Sequence, residues 1–304
     1  MPQPVLTVVI PHYGDPRPAQ DLTESLRAQV PAPPAQIIMV DDASPVPYPD
    51  NPGIEVVRRS VNGGFGTAVN SGAARATGEW LMILNSDLTI PDTFVADWLA
   101  TARPWGDAVT APRIVDPGGH ESWSGRHFPT IGHQVVEWLV PIARWRQLRT
   151  LHEAVGHDTR ATGSAVQVVD WVVGAALLIP TEVFRRAGGF DEGFHMNAEE
   201  VDLQRRLRDL GIPSVYLGTV SAEHEGGGSS DPDRRRRWLV SSRLRYADKW
   251  ARDGYPGGRR SLQAALATAS GANLVWNVGR RLLGREVTPW DTFRYELSLL
   301  RGEN

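Results

Sequence analysis

Up to about residue 103, short apolar segments alternate with segments of helical periodicity, and this alternation restricts the fold more than any other feature. The predicted strands and helices, in chain order, are Leu6–Ile10, Asp21–Gln29 (helix), Gln36–Val40, Ile54–Val57, Gly63–Ala76 (helix), Glu79–Leu84 and Pro91–Arg103 (helix). Strands that alternate with helices in this way pair in parallel and bury apolar side chains on both faces. The pattern therefore predicts an α/β fold, with a mostly parallel sheet and helices on both of its faces.

The rest of the chain divides into an irregular part and a helical part. Residues 113–165 show no clear period, and they are followed by an extended apolar segment, a helix, a strand and a glycine-rich loop: Val168–Ile179, Glu199–Leu210, Ser214–Leu217 and Glu225–Ser230. Three helices then complete the chain: Arg234–Trp250, Leu262–Leu283 and Trp290–Leu300. We expect one domain over 1–230, divided into 1–112 and 113–230, and a helical region over 231–304.

Composition excludes several classes of function. The net charge is −3, which argues against nucleic acid as the main partner. The 304 residues include no cysteine, so disulfides, thiolate nucleophiles and cysteine zinc sites are excluded. The start, Met1-Pro2-Gln3-Pro4, has no signal-peptide pattern, and no apolar run approaches the roughly 18 residues of a membrane span. We therefore expect a cytoplasmic protein.

One predicted strand ends abruptly in polar residues. The apolar run Trp80–Leu84 is followed directly by Asn85, Ser86 and Asp87. Because ligands of open α/β sheets bind at the carboxyl ends of the strands, the Asp87 carboxylate is expected at a binding edge. A carboxylate there suits a divalent cation that bridges phosphate oxygens. The alternative is that Asp87 only caps the next helix.

Three more polar segments follow predicted strands at the same edge: Pro11-His12-Tyr13-Gly14-Asp15, Asp41-Asp42-Ala43-Ser44 and Asn62-Gly63-Gly64-Phe65-Gly66. The Asp41 carboxylate can accept the N3–H of a uracil or thymine ring, and Tyr13 offers a face for stacking. The glycines after Asn62 let the backbone approach phosphate at a helix N-terminus. Each glycine alone indicates only a turn. Together, the four segments predict a nucleotide site.

The order of these segments resembles the inverting glycosyltransferase family 2, which has a GT-A (Rossmann-like) nucleotide-sugar-binding fold. The resemblance is closest to bacterial rhamnosyltransferase-like and galactofuranosyltransferase-like members. It covers about residues 5–230, and its later part consists of Trp171–Pro180, Gly188–Glu192, Glu199–Leu203 and His224. It implies that 1–112 is the nucleotide-sugar-binding half of the catalytic domain and that 113–230 is the acceptor-binding half.

The resemblance also implies the binding residues. For the nucleotide sugar these are Pro11, Tyr13, Asp15, Asp41, Asn62, Gly63, Asn70, Asn85, Ser86 and Asp87. Among them Asp41 matches the carboxylate that recognises the base, while Asn62 and Asn70 bracket the helix start that faces the ribose and pyrophosphate. For the acceptor the implied residues are Trp171, Gly174 and Asp191.

A divalent metal, Mg²⁺ or Mn²⁺, is implied as cofactor. Asp87 matches the last acid of the family's Asp-X-Asp motif and His224 matches a histidine that completes the metal shell, while Asn85 replaces the first acid with a neutral ligand. Relatives place Asp at the second position of a Glu-Asp pair as general base, and this position is Glu200 here, preceded by Glu199. We assign Glu200 as the base and Glu199 as its rival, since paired carboxylates raise each other's pKa. The alternative is a solvated acidic first turn of a helix.

The resemblance implies an inverting hexosyltransferase of bacterial polysaccharide or cell-wall synthesis. It would move a sugar, with rhamnose preferred, from a dTDP- or UDP-sugar to a glycan or a polyprenyl-linked acceptor. One alternative is a sugar-phosphate nucleotidyltransferase, which carries a basic glycine-rich loop where this chain has Pro11-His12-Tyr13-Gly14. The other is a catalytically degenerate sugar-nucleotide-binding module, since Asn85 and Glu200 depart from the family pattern.

Arginine and tryptophan crowd the predicted C-terminal helices, and the densest basic run is Arg234–Trp238. Arginine beside apolar faces suits anionic lipid headgroups, and tryptophan prefers the membrane interface. A lipid-linked acceptor would make a peripheral contact at the inner face of the cell membrane useful. The alternative is that these helices cover the catalytic domain or build a homodimer contact.

Overall fold

The structure, a computed structural model, describes residues 5–32, 34, 36–145, 148–226 and 231–302. The chain divides into two compact units. The first unit is Met1–His127 with Arg160–Ser230, and the second is Phe128–Thr159 with Asp231–Asn304. Most of the predicted glycine-rich loop, residues 227–230, lies outside the described residues.

The strands are β1 (Leu6–His12), β2 (Gln36–Asp41), β3 (Glu55–Arg58), β4 (Trp80–Leu84), β5 (Leu88–Thr89), β6 (Val109–Val115), β7 (Gly125–Arg126), β8 (Val166–Val169), β9 (Trp171–Val172), β10 (Ala176–Pro180) and β11 (Ser214–His224). The helices are α1 (Pro16–Arg27), α2 (Phe65–Ala73), α3 (Phe94–Ala102), α4 (Ile131–Trp138), α5 (Arg149–Ala154), α6 (Thr181–Arg186), α7 (Glu199–Asp209), α8 (Pro232–Lys249), α9 (Gly258–Leu282) and α10 (Pro289–Arg301). Short 3₁₀ segments occur at Arg103–Trp105 and Val140–Trp145.

The first unit is built on a sheet with the strand order β3-β2-β1-β4-β10-β6-β11-β5, and β8 also pairs with β11. The pairs among β3, β2, β1 and β4 are parallel, and so is the pair of β6 with β11. β10 runs antiparallel between β4 and β6, and β5 and β8 run antiparallel to β11. The predicted α/β class is confirmed. The sheet is mixed, because the strands after residue 112 enter it in both directions.

Helices cover both faces of this sheet, as predicted. Val8 and Ile10 of β1 point to one face, where they pack with apolar residues of α1 and α3. Val9 points to the other face, where the core includes residues of α2, α6 and α7. This alternation follows from the period of two residues in a strand. Both faces of the sheet are therefore buried, and its carboxyl edge is left for the loops.

Three elements of the first unit differ from the prediction. α1 begins at Pro16 rather than Asp21, because Asp15 caps the helix by accepting a hydrogen bond from Arg17 N at 3.0 Å. The single extended segment predicted over Val168–Ile179 is divided among β8, β9 and β10. The strand predicted to end at Leu217 continues as β11 to His224, with an irregularity in its pairing after Leu217.

The second unit is helical and contains the segment 128–159, which the sequence division placed in the acceptor-binding half. Trp138 at the end of α4 donates from Nε1 to Ser270 Oγ of α9 at 2.8 Å. Asn273 Oδ1 accepts from Val140 N at 2.9 Å, and Asn273 Nδ2 donates to Trp138 O at 3.0 Å. Because unpaired buried polar groups are costly, these bonds fix the segment to the C-terminal helices.

The densest basic run of the sequence lies at the start of α8 and is largely paired within the second unit. Arg236 lies 3.9 Å from the buried Glu296 carboxylate and 5.4 Å above the Trp138 ring. Arg237 Nε donates to Asp233 at 2.9 Å. None of the helices in the described ranges is both long enough and apolar enough to cross a membrane.

Candidate active site

The predicted metal residues meet where β4 ends. β5 pairs with the end of β11, so that His224 stands opposite Leu88, directly after Asp87. This register brings His224 Nε2 to 3.0 Å from Asp87 Oδ1 and to 3.2 Å from Asn85 Nδ2. His224, which lies 137 residues after Asp87, therefore meets Asn85 and Asp87 at one position of the sheet edge.

The charge of this group suits a divalent cation. Burial raises the pKa of Asp87, but the hydrogen bond and charge of His224, together with the N–H of Gly226, outweigh it and hold the pKa below its ordinary value. Asp87 is therefore ionised at neutral pH. An ion with six ligands at about 2.1 Å places neighbouring ligand atoms about 3.0 Å apart. The 3.0 Å separation of Asp87 Oδ1 and His224 Nε2 fits two such positions.

Two carboxylates begin α7. Glu199 is 3% exposed and Glu200 is partly exposed. In each, Oε2 is buried and accepts no hydrogen bond from any residue that the structure describes. Burial raises the pKa of both, and the Glu200 charge raises that of Glu199 further, whereas N–H groups of the first turn and the charge of Arg126 oppose the rise at Glu200. Buried carboxylates with unengaged oxygens and raised pKa values are typical of general acids and bases.

Gly174 and Gln204 hold Glu200 in place. A Cβ at Gly174 would lie 3.3 Å from Glu200 Cβ and 3.4 Å from its Cγ, so glycine permits this close approach. Gln204 Oε1 accepts from Val172 N and Nε2 donates to Val172 O, both at 2.8 Å. Gln204 Nε2 also donates to Glu200 O at 3.0 Å. The sequence analysis missed Gln204, although its position one turn after Glu200 is a usable signal.

The segment after β9 links the carboxylate pair to the metal residues. Asn85 N donates to Ala175 O at 2.8 Å, and Ala175 follows the glycine that packs against Glu200. One short segment therefore contacts both the Asn85–Asp87 turn and Glu200. Beside it, the Arg126 guanidinium lies 5.5 Å over the ring of Trp171, the first of the predicted acceptor residues.

Asp41 organises the loop after β2. Its Oδ1 accepts from Ser44 N at 2.8 Å and its Oδ2 accepts from Tyr48 N at 2.9 Å. Burial raises the pKa of Asp41, but the bonds from Ser44 and Tyr48 outweigh it, so that the pKa lies below its ordinary value. Asp41 is only 3% exposed, so the predicted contact with a base would have to use a second acceptor position of a buried carboxylate.

Asp42 fixes the glycine turn, and the sequence analysis gave it no separate role. It accepts from Gly63 N at 3.0 Å, from Gly64 N at 2.8 Å and from Arg59 Nε at 2.7 Å. Gly64 has φ +85°, and a Cβ there would lie 1.7 Å from His195 O, in the loop before α7. The start of α2 is therefore held between the end of β2 and the loop that leads to the two glutamates. The doublet Asp41-Asp42 was the sequence signal that could have identified this role of Asp42.

The other predicted nucleotide residues lie at this edge in varied environments. Pro11 is buried at the end of β1, while Tyr13, Asn62 and Ser86 are partly exposed. Asp15 is exposed and paired with Arg17, and both line a cavity of about 480 Å³ with Gly14, Pro16, Pro45 and Val46.

Asn70 and Asp191 shape the turn before α7. Asn70 Nδ2 donates to Phe190 O and Asn70 Oδ1 accepts from Phe190 N, both at 2.9 Å. Asp191 Oδ1 accepts from Gly193 N at 2.9 Å. Asp202 pairs with Arg206 Nε at 3.0 Å, and Arg206 donates to the same turn. The amide of Asn70 is thus engaged by the protein itself, whereas its predicted contact is with the nucleotide.

We expect Gly64→Ala to destabilise the first unit by about 3 kcal/mol or more, because it combines left-handed backbone strain with a clash against His195 O. Gly211→Ala is the matched control, since Gly211 has φ +78° and open space around its Cβ position. It should cost only about 1 kcal/mol. Denaturant unfolding of both variants measures the difference. Equal losses would show that the contact with the loop before α7 is unimportant.

Comparison with known proteins agrees with this geometry. The family model of glycosyl transferase family 2 matches residues 7–161. An N-acetylglucosaminyl-diphospho-decaprenol L-rhamnosyltransferase of Mycobacterium tuberculosis is 26% identical over 221 residues, which cover 66% of this chain and 69% of the relative.

Two solved glycosyltransferases have the same fold. GalNAc-T7 with UDP, GalNAc and Mn²⁺ matches with a TM-score of 0.59 and 17% identity, over 84% of this chain and 49% of that structure, so this chain spans about half of its length. The mannosyltransferase PcManGT from Pyrobaculum calidifontis, in complex with GDP-Man and Mn²⁺, matches with a TM-score of 0.54 and 17% identity, over 99% of this chain and 86% of that one. At this identity the likeness shows the GT-A fold alone. Since the family model covers just over half of the chain, the protein belongs to glycosyl transferase family 2 and is a glycosyltransferase.

Proposed function

We propose that this glycosyltransferase moves a sugar, with rhamnose as first choice, from a dTDP- or UDP-sugar to a glycan or polyprenyl-linked acceptor at the inner face of the membrane. The observation that carries the proposal is the contact of one segment, 174–175, with both the Asn85–Asp87 turn, where His224 also lies, and the Glu200 side chain. The rhamnosyltransferase name of the mycobacterial relative, with its lipid-linked substrate, supports the choice of sugar and acceptor.

The donor would bind along 1–112. Asp41 would accept the N3–H of the pyrimidine, which a purine cannot supply in the same place, and Tyr13 would stack on the ring. Asp42 holds Gly63 and Gly64 by accepting from their N–H groups, and the partial positive charge at the start of α2 would favour the diphosphate. Trp171, Gly174 and Asp191, in 113–230, would line the acceptor side.

Asp87 and His224 would hold a divalent cation, Mg²⁺ or Mn²⁺. Turning the Asn85 amide over would offer Oδ1 as a neutral third ligand in place of the usual acid. When bound, the cation supplies positive charge that balances the charge building on the leaving diphosphate. Asp87 would bind the cation as its carboxylate, and His224 would bind through Nε2 without a proton, which replaces the hydrogen bond between the two side chains.

Glu200 would act as the general base. It takes the proton of an acceptor hydroxyl, whose oxygen forms a bond to the anomeric carbon as the bond to the diphosphate breaks on the opposite side. A single displacement of this kind inverts the configuration. Glu199 is the weaker candidate, because it is only 3% exposed and its burial beside Glu200 favours the protonated form.

Glu200→Gln tests this assignment directly. We expect transfer to fall by roughly 10²–10⁴-fold, because the amide cannot take a proton, while donor affinity stays unchanged. Glu199→Gln is the matched control and should retain most of the activity. Initial rates and donor titrations for both variants decide between them. If Glu199→Gln is the inactive variant, the rival assignment is correct.

Metal dependence gives a second test. Chelation should abolish transfer and added Mn²⁺ or Mg²⁺ should restore it. Asp87→Ala should weaken Mn²⁺ binding by at least tenfold, because the charged ligand is lost. Asp107→Ala, an exposed acid paired with Arg186, is the control and should bind Mn²⁺ normally. Calorimetric or spin-resonance titration with Mn²⁺ measures this. Full activity in excess chelator would refute the metal assignment.

The pH profile reports the environment of the base. Glu200 works only when ionised, so activity should fall as pH drops through its pKa, which burial holds above the ordinary value of glutamate. Arg126→Gln removes a positive charge that lowers this pKa, so the acid limb should move to higher pH. Arg186→Gln, at an exposed site, should leave the limb in place. If the acid limb of the activity profile stays in place in Arg126→Gln, a group other than Glu200 controls it.

A further inference from the structure

The corner between α9 and α10 in the second unit exposes apolar side chains. Leu282 and Leu283 are each 83% exposed at the end of α9, and Val275, two turns earlier on the same face as Leu282, is 74% exposed. Trp290, at the start of α10, is 59% exposed. Single exposed apolar residues are normal, but helices facing water carry polar residues on the outer face. This outer face of α9 is apolar over two turns, and Trp290 adds an exposed aromatic ring at the start of the next helix.

Positive charge surrounds the same corner. Arg280, Arg281 and Arg285 line a cavity of about 680 Å³, together with Glu286 as its acidic member. Within the residues that the structure describes, no acidic side chain forms an ion pair with any of these three arginines. They differ from Arg236 and Arg237 of α8, whose guanidinium groups are paired inside the unit.

An aromatic edge adjoins the corner. Val140 lines the same cavity and begins the 3₁₀ segment Val140–Trp145. In that segment Arg144 lies 4.1 Å over the ring of Trp145, which is 45% exposed, and 5.6 Å over the ring of Trp276 of α9. Tryptophan with arginine beside exposed leucine is the composition of surfaces that lie in a membrane interface.

We propose that this corner, consisting of Val275, Arg280–Leu283, Arg285 and Trp290 with the adjoining Val140–Trp145, binds an anionic phospholipid bilayer. The leucines and Trp290 enter the headgroup boundary, and the three arginines contact lipid phosphates. Charge complementarity selects a bilayer over a second copy of this chain, whose matching corner would carry the same positive charge. These residues would make the membrane contact of the proposed function. Only the biological purpose of the contact rests on the proposed function.

The experiment is co-sedimentation of the full chain with vesicles, without donor or acceptor. Binding to vesicles of phosphatidylcholine mixed with phosphatidylglycerol should exceed binding to phosphatidylcholine alone and should weaken as salt rises. Arg280→Gln with Arg281→Gln should lower the partition constant roughly 30-fold. Leu282→Ser with Leu283→Ser should lower it at least about tenfold, because apolar burial is lost.

The matched control is Arg259→Gln with Arg260→Gln, an exposed arginine pair at the other end of α9 that should change binding less than about twofold. Equal losses for the two arginine pairs would overturn the proposal in favour of general charge attraction. Loss of heparin binding in step with vesicle binding, with no effect of the leucines, would indicate a polyanion instead. Transfer to a water-soluble acceptor, measured separately, tests the proposed function and should be unchanged in all three variants.

Discussion

The close approach of Gly174 to Glu200 is the contact on which the site depends. A Cβ at position 174 would lie 3.3 Å from Glu200 Cβ, so a side chain there would require Glu200 to shift, and the same segment holds Asn85 through the carbonyl of Ala175. Gln204 reinforces this packing with hydrogen bonds to both backbone groups of Val172. Through these contacts the carboxylate on the helix and the polar turn after β4 are both connected to one partly buried segment, 174–175.

The surroundings of the acidic groups near this edge of the sheet give them different properties. Asp41 and Asp42 accept hydrogen bonds from backbone N–H groups and so fix the loops. The hydrogen bond and charge of His224 lower the pKa of Asp87. Glu199 and Glu200 lack such partners at Oε2, and burial favours their protonated forms. Environment therefore separates residues of the same chemistry into structural, cation-binding and proton-accepting candidates.

Local signals were enough to predict the strands of the parallel half and the residues at their ends, because buried strands and their polar turns are continuous in the sequence. The prediction that Asp87 and His224 act together came from the family resemblance and not from a local signal. Local signals did not reveal the antiparallel entry of β10 or the grouping of 128–159 with α9, since both depend on contacts between distant segments such as Trp138 with Ser270. Gln204 and Asp42 were missed because most of their partners are backbone groups of distant segments, so that the helical spacing of Gln204 and the Asp-Asp doublet did not by themselves show what these side chains bind. The predicted roles of the site residues remain predictions.

His224 ends β11, which pairs with β6 on one side as far as Glu223 and on the other side with a strand of only two residues, Leu88–Thr89. So short a ladder contributes little order by itself. Any ligand that engages both Asp87 and His224 therefore also stabilises the pairing of β5 with β11. Ligand binding at His224 and the pairing of β5 with β11 are thermodynamically linked, so a change that weakens this pairing should also weaken binding of the ligand.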